Sequence, residues 1–296
     1  MNNTIEKRKE LLFCYDVTDA NPNGDPLDEN KPRIDEETGI NIVTDVRLKR
    51  TIRDYLMDYK GYDGTGEKDI FVRDIVYDKN FIQDGKMRAK NFGNDAKKII
   101  DQCIDIRLFG GVIPLDKDSI TYTGPVQFKM GRSLHPVEMK HIKGTGAFAS
   151  KKDSQQKTFR EEYILPYSFI AFHGIINETA AVHTGLTNDD VNEMIDALWN
   201  GTKNLISRSK FGQMPRLLIS VTYKEKGFFI GDLDKKIKTV GYDNPLKLRS
   251  VSDFSIDISE LLKSLDDNKD NIDGVKCRID KNLQIVQGIP DSWENF

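Results

Sequence analysis

The apolar and polar positions along the chain predict a mixed set of strands and helices. Residues 10–18 (ELLFCYDVT) alternate apolar with polar and predict a first strand. Residues 19–33 (DANPNGDPLDENKPR) are rich in Pro, Asn and Asp and predict a loop. Thr44 then reads as an N-cap, with Asp45 in the first turn of a helix over 45–59. At 100° per residue, Leu48, Ile52, Tyr55 and Tyr59 form one stripe of that helix. Lys49, Arg53 and Lys60 form a second stripe beside it, with Arg50 at its margin.

Beyond this helix, GYDGTGEKD reads as a loop, and a helix is predicted at about 93–104, followed by RLFGGVIP. Residues 119–130 predict a strand, 131–163 show little periodicity, and 164–176 (ILPYSFIAFHGII) predict an apolar strand. Thr187 caps a second long helix, and 216–223 (RLLISVTY) predict a fourth strand. Near the C-terminus a helix is expected at 257–265, with short strands at 274–279 and 283–287. Without its insertions the order is strand, helix, strand, strand, helix, strand. That order predicts an α+β fold with an RRM-like or ferredoxin-like sheet. Two insertions interrupt it, at 60–118 and at 131–163.

Composition narrows the class. The 296 residues suffice for a large core without staples, and 31% of them are charged, as in a soluble globular protein. No apolar run approaches the ~18 residues of a spanning helix, and the N-terminus has no apolar signal segment, so the expected location is cytoplasmic. Cys14, Cys103 and Cys277 are far apart and odd in number, which argues against a disulfide framework or a metal-binding pair and predicts buried thiols.

The net charge of −3 hides strong segregation. Residues 129–160 carry eight Lys and Arg against two acids, a net of +6, while residues 16–37 carry eight acids against Lys31 and Arg33. Residues 225–296 hold 14 acids and 11 bases. A basic arm on a near-neutral chain suits local polyanion binding, and acidic surfaces elsewhere suit a neighbour's basic arm. The arm also contains Met139, Phe148 and Phe159, apolar groups able to stack on bases. A third basic piece, Lys203, Ser207, Arg208, Lys210, Gln213 and Arg216, follows the second long helix and suits phosphate contacts.

Other motifs fail on their own terms. Asp19-x-Asn21-x-Asn23-Gly24 begins like a calcium loop, but Asn30 stands where a Glu is required. Gly61-x4-Gly66 has Glu67 in place of the phosphate-loop Lys, and Gly144-x-Gly146 lacks a preceding apolar strand. His135 and His141 have no cysteine near them and lie on no zinc-binding helix pattern, and His173 sits within an apolar strand as a core histidine.

Several segments, in order, resemble a known family: DANPNGDPLDENKPRID (19–35), NIVTDVRLKRTIRDYL (41–56), DIRLFGG (105–111), TGPVQFKMGRSLHPVE (123–138) and LWNGTKNLISRSKFGQMPRLL (198–218). Together they resemble the backbone subunit of CRISPR Cascade complexes, the Cas seven family, in its type I-B branch. The resemblance implies a right-hand shape in one domain. The palm would span about 9–59, 119–130 and 164–226, the fingers 60–118, the thumb 131–163, with a C-terminal extension at 227–296.

It also implies an RNA-binding subunit without catalysis or cofactor. Copies would line up along a crRNA guide beside the large, small, processing and end-capping subunits and present the guide to target DNA. No membrane is involved. By position, Lys49, Arg50 and Arg53 would hold guide phosphates, and Asn21 and Asn23 would lie near the RNA. Arg132, His135, Lys140, Lys143, Phe148, Lys151 and Lys152 would belong to the thumb and its root. Ser207, Arg208, Gln213 and Met214 would line the palm. The alternative implied by related type III subunits is a metal-dependent RNase using Asp19, Asp25, Asp28 or Asp35.

Overall fold

The computed structural model describes residues 4–115, 118–149 and 157–296. Strand β1 (Lys9–Ala20) leads through a long loop to a short strand β2 (Ile40–Val43) and helix α1 (Asp45–Lys60). Three short helices, α2 (Gly85–Lys90), α3 (Ala96–Gln102) and α4 (Ile104–Phe109), precede the hairpin β3 (Gly110–Pro114) and β4 (Ser119–Thr123). Then come β5 (Val126–Phe128), β6 (Gly131–Pro136), β7 (Lys140–Ala149) and the long β8 (Lys157–Ile176). Helices α5 (Glu178–Thr184) and α6 (Asn188–Asp196) follow, the second running on through a π-helical turn, Ala197–Gly201, before β9 (Gln213–Tyr223). The last part holds β10 (Lys238–Val240), β11 (Ser255–Asp257), α7 (Ser259–Asp267), β12 (Ile272–Ile279) and β13 (Glu294–Asn295).

The fold is α+β around a nine-stranded, mainly antiparallel sheet. Seven strands lie in the order β13-β12-β9-β1-β8-β6-β2, and β5 and β7 pair with the two ends of β8. Among the described strand pairs of this sheet, only β12–β13 is parallel. In β1 the odd residues Leu11, Phe13, Tyr15 and Val17 face α1 and α6, in one core with Leu48, Ile52, Leu56, Val191 and Met194. Gly201 lets the two helical segments approach, since a Cβ there would stand 3.0 Å from the Cβ of Tyr55.

Leu12 and Cys14 face the other way, into a second core with Leu233, Val251, Phe254, Ile256 and Leu261. Residues 227–296 are therefore a layer folded over the second face of the sheet. The predicted alternation in 10–18 is corrected by the same observation. Leu11 through Tyr15 form one continuous apolar run because both faces of β1 are buried.

Other expectations shift in register or extent. The helix expected at 93–104 is two helices, α3 and α4, that meet at Cys103. The strand expected over 119–130 breaks at Gly124 and Pro125 into β4, outside the main sheet, and β5, within it. The described residues of 131–163 have regular structure: β6 lies in the main sheet, and β7 pairs antiparallel with the first part of β8. The strand expected at 283–287 reduces to a bridge between Ile256 and Ile285. The apolar stripe of α1 ends on Leu56, and Tyr59 is exposed, stacked on Tyr55. The caps at Thr44 and Thr187 form as expected, the latter as a capping box with Asp190. The three cysteines are free and buried.

Candidate nucleic-acid interface

The loop after β1 is stitched to its surroundings by its asparagines. Asn21 is buried. Its amide donates to the Asn30 carbonyl at 2.6 Å, and its backbone N–H donates to the Ser209 carbonyl at 2.8 Å. The Asn21 carbonyl accepts from Lys210 Nζ at 2.6 Å. Asn23 Oδ1 accepts from both the N–H and the hydroxyl of Thr44 at 2.9 Å, and Thr44 in turn caps Arg47 N–H. The two asparagines lock three segments together, the 19–35 loop, the start of α1 and the turn at 207–212.

That junction gathers two cations with no counter-ion. Arg47, in the first turn of α1, donates from Nη2 to Thr51 Oγ1 at 3.1 Å, and its Nε is buried without a partner. Among the described residues, Lys210 Nζ bonds only the Asn21 carbonyl. Among the described residues neither forms an ion pair with a carboxylate. Burial, and then the positive charge of Arg47, bring the Lys210 ammonium down to about 8. Burial also lowers Arg47. Asn21 Oδ1 is buried beside them without a partner. Buried cations are normally paired, so this arrangement carries an unmet demand for an anion. Gln213, itself buried, supports the site from beneath through Nε2 to the Lys210 carbonyl.

The rim is exposed and mixed. Ser207 and Arg208 lie on the open turn, with Arg208 held by Glu162 at 2.8 Å, and Ile206 and Phe211 expose large apolar surface beside them. Met214 is half-buried at the start of β9. Arg132 is exposed on β6, 3.6 Å from Asp35. Lys140 pairs with Glu138 at 2.8 Å and Lys143 with Glu161 at 3.4 Å. Tyr163 joins the loop to the hairpin root: its hydroxyl donates to Glu29 at 2.8 Å, Lys31 sits over its ring, and His141 stacks on it.

The basic edge of α1 divides. Arg50 is exposed and bonds Asp54 at 2.6 Å. Lys49 is held by Asp45 at 3.0 Å and Gln127 at 3.1 Å, over the Phe109 ring. Arg53 donates to Asp105 at 3.0 Å, a fully buried carboxylate that also accepts the N–H groups of Phe71 and Val72. Lys49 and Arg53 thus anchor the 60–118 insertion to α1. His135 is not a surface residue. It is buried, Nδ1 donates to the Pro136 carbonyl at 2.9 Å, and Nε2 accepts from Phe169 N–H at 3.2 Å. Burial lowers its pKa, and both nitrogens are used in the neutral form. Its ring is held inside the protein at the root of the hairpin. Phe148 lies on strand β7, and Lys151 and Lys152 lie outside the described residues.

In the 19–35 loop, Asp25 pairs with Arg33 and accepts Leu27 N–H, Asp28 pairs with Lys31, and Asp35 accepts Glu37 N–H. Among the described residues these carboxylates form no group of three able to share a metal ion. Arg47 fell on neither stripe of the sequence-derived helix, and the burial of Lys210 is a tertiary property. Arg47 was not among the sequence-derived candidates, whereas Lys210 was named there within the basic piece after the second long helix.

These features define an α+β scaffold with two partly buried cations, Arg47 and Lys210, at the edge of its sheet. The chain belongs to the CRISPR-associated protein Cas7 family, whose model matches residues 7–259. It is 32% identical over 313 aligned residues to a CRISPR-associated protein Cas7 of Haloferax volcanii, covering 96% of this chain and 90% of the relative. Two solved chains share the fold. One, from a "CRISPR RNA-guided surveillance complex, pre-nicking", has a TM-score of 0.57 and 10% identity, covering 98% of this chain and 96% of the other. One from a "CRISPR RNA-guided surveillance complex" has a TM-score of 0.55 and 13% identity, covering 98% and 94%. Among the described residues no helix is long and apolar enough to cross a membrane.

Proposed function

We propose that this chain is the backbone subunit of a type I-B CRISPR Cascade complex, a cytoplasmic, non-catalytic RNA-binding protein that lines up in copies along a crRNA guide. The observation that carries the RNA assignment is the Arg47–Lys210 junction, two cations in a partly buried site without a carboxylate. A guide phosphodiester supplies the missing charge, while Ser207, Arg208, Arg50 and Arg132 hold neighbouring phosphates from the rim. Phosphate contacts fix register and leave the bases free, so recognition of target DNA passes to Watson–Crick pairing by the guide.

The palm is read as RRM-like. The order β9-β1-β8-β5/β6, all antiparallel and with α1 and α6 on one face, supports that reading. Its other face is filled by residues 227–296, so the guide is assigned to the helix and loop edge instead of the open face. The 60–118 insertion is read as fingers, and the β7–β8 hairpin, with Arg132 and Lys140 at its root, as the thumb that reaches the next copy. The strand pair at Val76–Asp78 and Phe81–Ile82 exposes Val76, Tyr77, Phe81 and Ile82, an apolar patch suited to such a neighbour.

The test is to purify the complex with its partner subunits and guide, and to compare RNA retention of the wild type with Arg47→Ala and Lys210→Ala. Loss of RNA from both folded variants supports the reading. Full retention by both removes the junction from the phosphate path. Magnesium-dependent cutting of matched target RNA, abolished by Asp25→Ala, would make the protein an RNase instead.

A further inference from the structure

On the far side of the sheet a second set of ionisable groups converges, away from the RNA edge. His173 on β8 is 3% exposed. Its Nε2 lies 2.7 Å from Glu10 Oε1 on β1. A carboxylate only accepts, so Nε2 carries the proton and the lone pair of Nδ1 points the other way. Nδ1 makes no hydrogen bond among the described residues. It faces Asp234 Oδ1 at 4.0 Å, and that oxygen is buried without a hydrogen-bond partner. Asp232 completes a trio whose ligand atoms all lie within 4.8 Å of one another. The site opens into a cavity of about 360 Å³ lined also by Phe128, Ile175 and Phe229.

The supporting shell is already built. Glu10 is fully buried and accepts from His173, from the Tyr223 hydroxyl, and from the backbone N–H groups of Ile230 and Gly231 at 2.9 Å. One carboxylate therefore orients the imidazole and fixes the backbone just before Asp232. A histidine that gives one ring N–H to a carboxylate and presents the other nitrogen is the usual arrangement of a metal ligand. Lys129 Nζ contacts Asp232 and lies 3.6 Å from Asp234 Oδ1, on a half-exposed side chain able to swing out.

We propose that His173, Asp232 and Asp234 bind a divalent transition-metal ion of the zinc class, in exchange for the Lys129 ammonium. Such an ion holds mixed N and O ligands at about 2.0–2.2 Å, which places them roughly 3.4 Å apart. Closing the trio to that spacing takes rotation of the exposed Asp232 and an approach of about half an ångström between His173 Nδ1 and Asp234 Oδ1, now 4.0 Å apart. The ion staples the 227–296 layer to the strands β1 and β8, a structural role independent of guide binding.

The experiment is calorimetric titration of zinc chloride into the full-length chain after dialysis against chelator, repeated with cobalt(II) to follow its visible absorption. About one ion per chain is expected. Asp232→Asn, at an exposed position, should weaken it at least tenfold with the fold intact by circular dichroism. Lys129→Ala should tighten it, because the competing ammonium is gone. No binding near one equivalent, or binding unchanged in both variants, overturns the proposal and leaves Lys129 as the built-in cation of the site.

Discussion

Binding of guide RNA should draw a proton onto Lys210 above neutral pH. Its ammonium stands at about 8 in the free protein, against 10.5 for the unhindered side chain, because burial and Arg47 disfavour the charge. A phosphate at the junction favours the charge and returns the pKa toward its ordinary value. At pH 9 the free lysine is protonated in roughly one copy in ten and the bound lysine in nearly all. Uptake should therefore be about 0.9 proton per copy at pH 9, about 0.5 at pH 8 and about 0.1 at pH 7.

The sign for folding is opposite. The folded pKa is lowered, so the unfolded chain holds more protons between pH 8 and 10.5. Free protein thus gains stability as pH rises through that window, while guide affinity falls. Calorimetry of RNA binding in two buffers of different ionisation enthalpy reads the uptake directly. Lys210→Met should abolish it. A buffer-independent enthalpy at pH 9, or the same uptake in Lys210→Met, would refute the reasoning.

The basic edge of α1 yields a contrast. Arg53→Ala strands the buried Asp105 and should cost about 3–5 kcal/mol in urea unfolding, softened by the two N–H groups that remain on it. Arg50→Ala should change stability by less than about 0.5 kcal/mol yet lower the salt slope of guide binding by about 0.7 per site. Asn23→Ala removes the acceptor for two Thr44 donors and should cost about 1–2 kcal/mol, read as a drop in the urea midpoint at unchanged slope. Deleting 143–161 and closing the gap with Gly and Ser spares the β1–β8 ladder, which runs from Ile176 to Leu165. That variant should stay folded by circular dichroism and fail to form ordered assemblies on a guide by electron microscopy.

Much of the sheet was legible because strands with short-range patterns and capped helices announce themselves locally. Thr44 and Thr187 formed the caps their sequence context demanded. The second layer over the sheet was less legible, although its trace lies in the unbroken run Leu11–Tyr15. A continuous apolar run tells that both faces are covered and does not tell by what. The break between β4 and β5 rests on a close backbone crossing, where a Cβ on Gly124 would stand 2.0 Å from the Phe109 carbonyl carbon. No local pattern records such a contact.

At the candidate site the sequence marked cations without telling exposed ones from partly buried ones. Arg50, Arg132 and Arg208 stand on the surface, whereas Lys49 and Arg53 serve the fold. Arg47 and Lys210 gain their character only when the 19–35 loop brings α1 and the 207–212 turn together.

The most direct measurement is to express the chain with a guide RNA and its partner subunits, purify without nuclease treatment, and sequence the bound RNA by length. The expected result is a discrete guide-length RNA, several protein copies on each, with matched targets left uncut by this subunit. Nucleic-acid-free protein, or RNA of random length and sequence, would contradict the assignment of this chain to a guide-bound backbone.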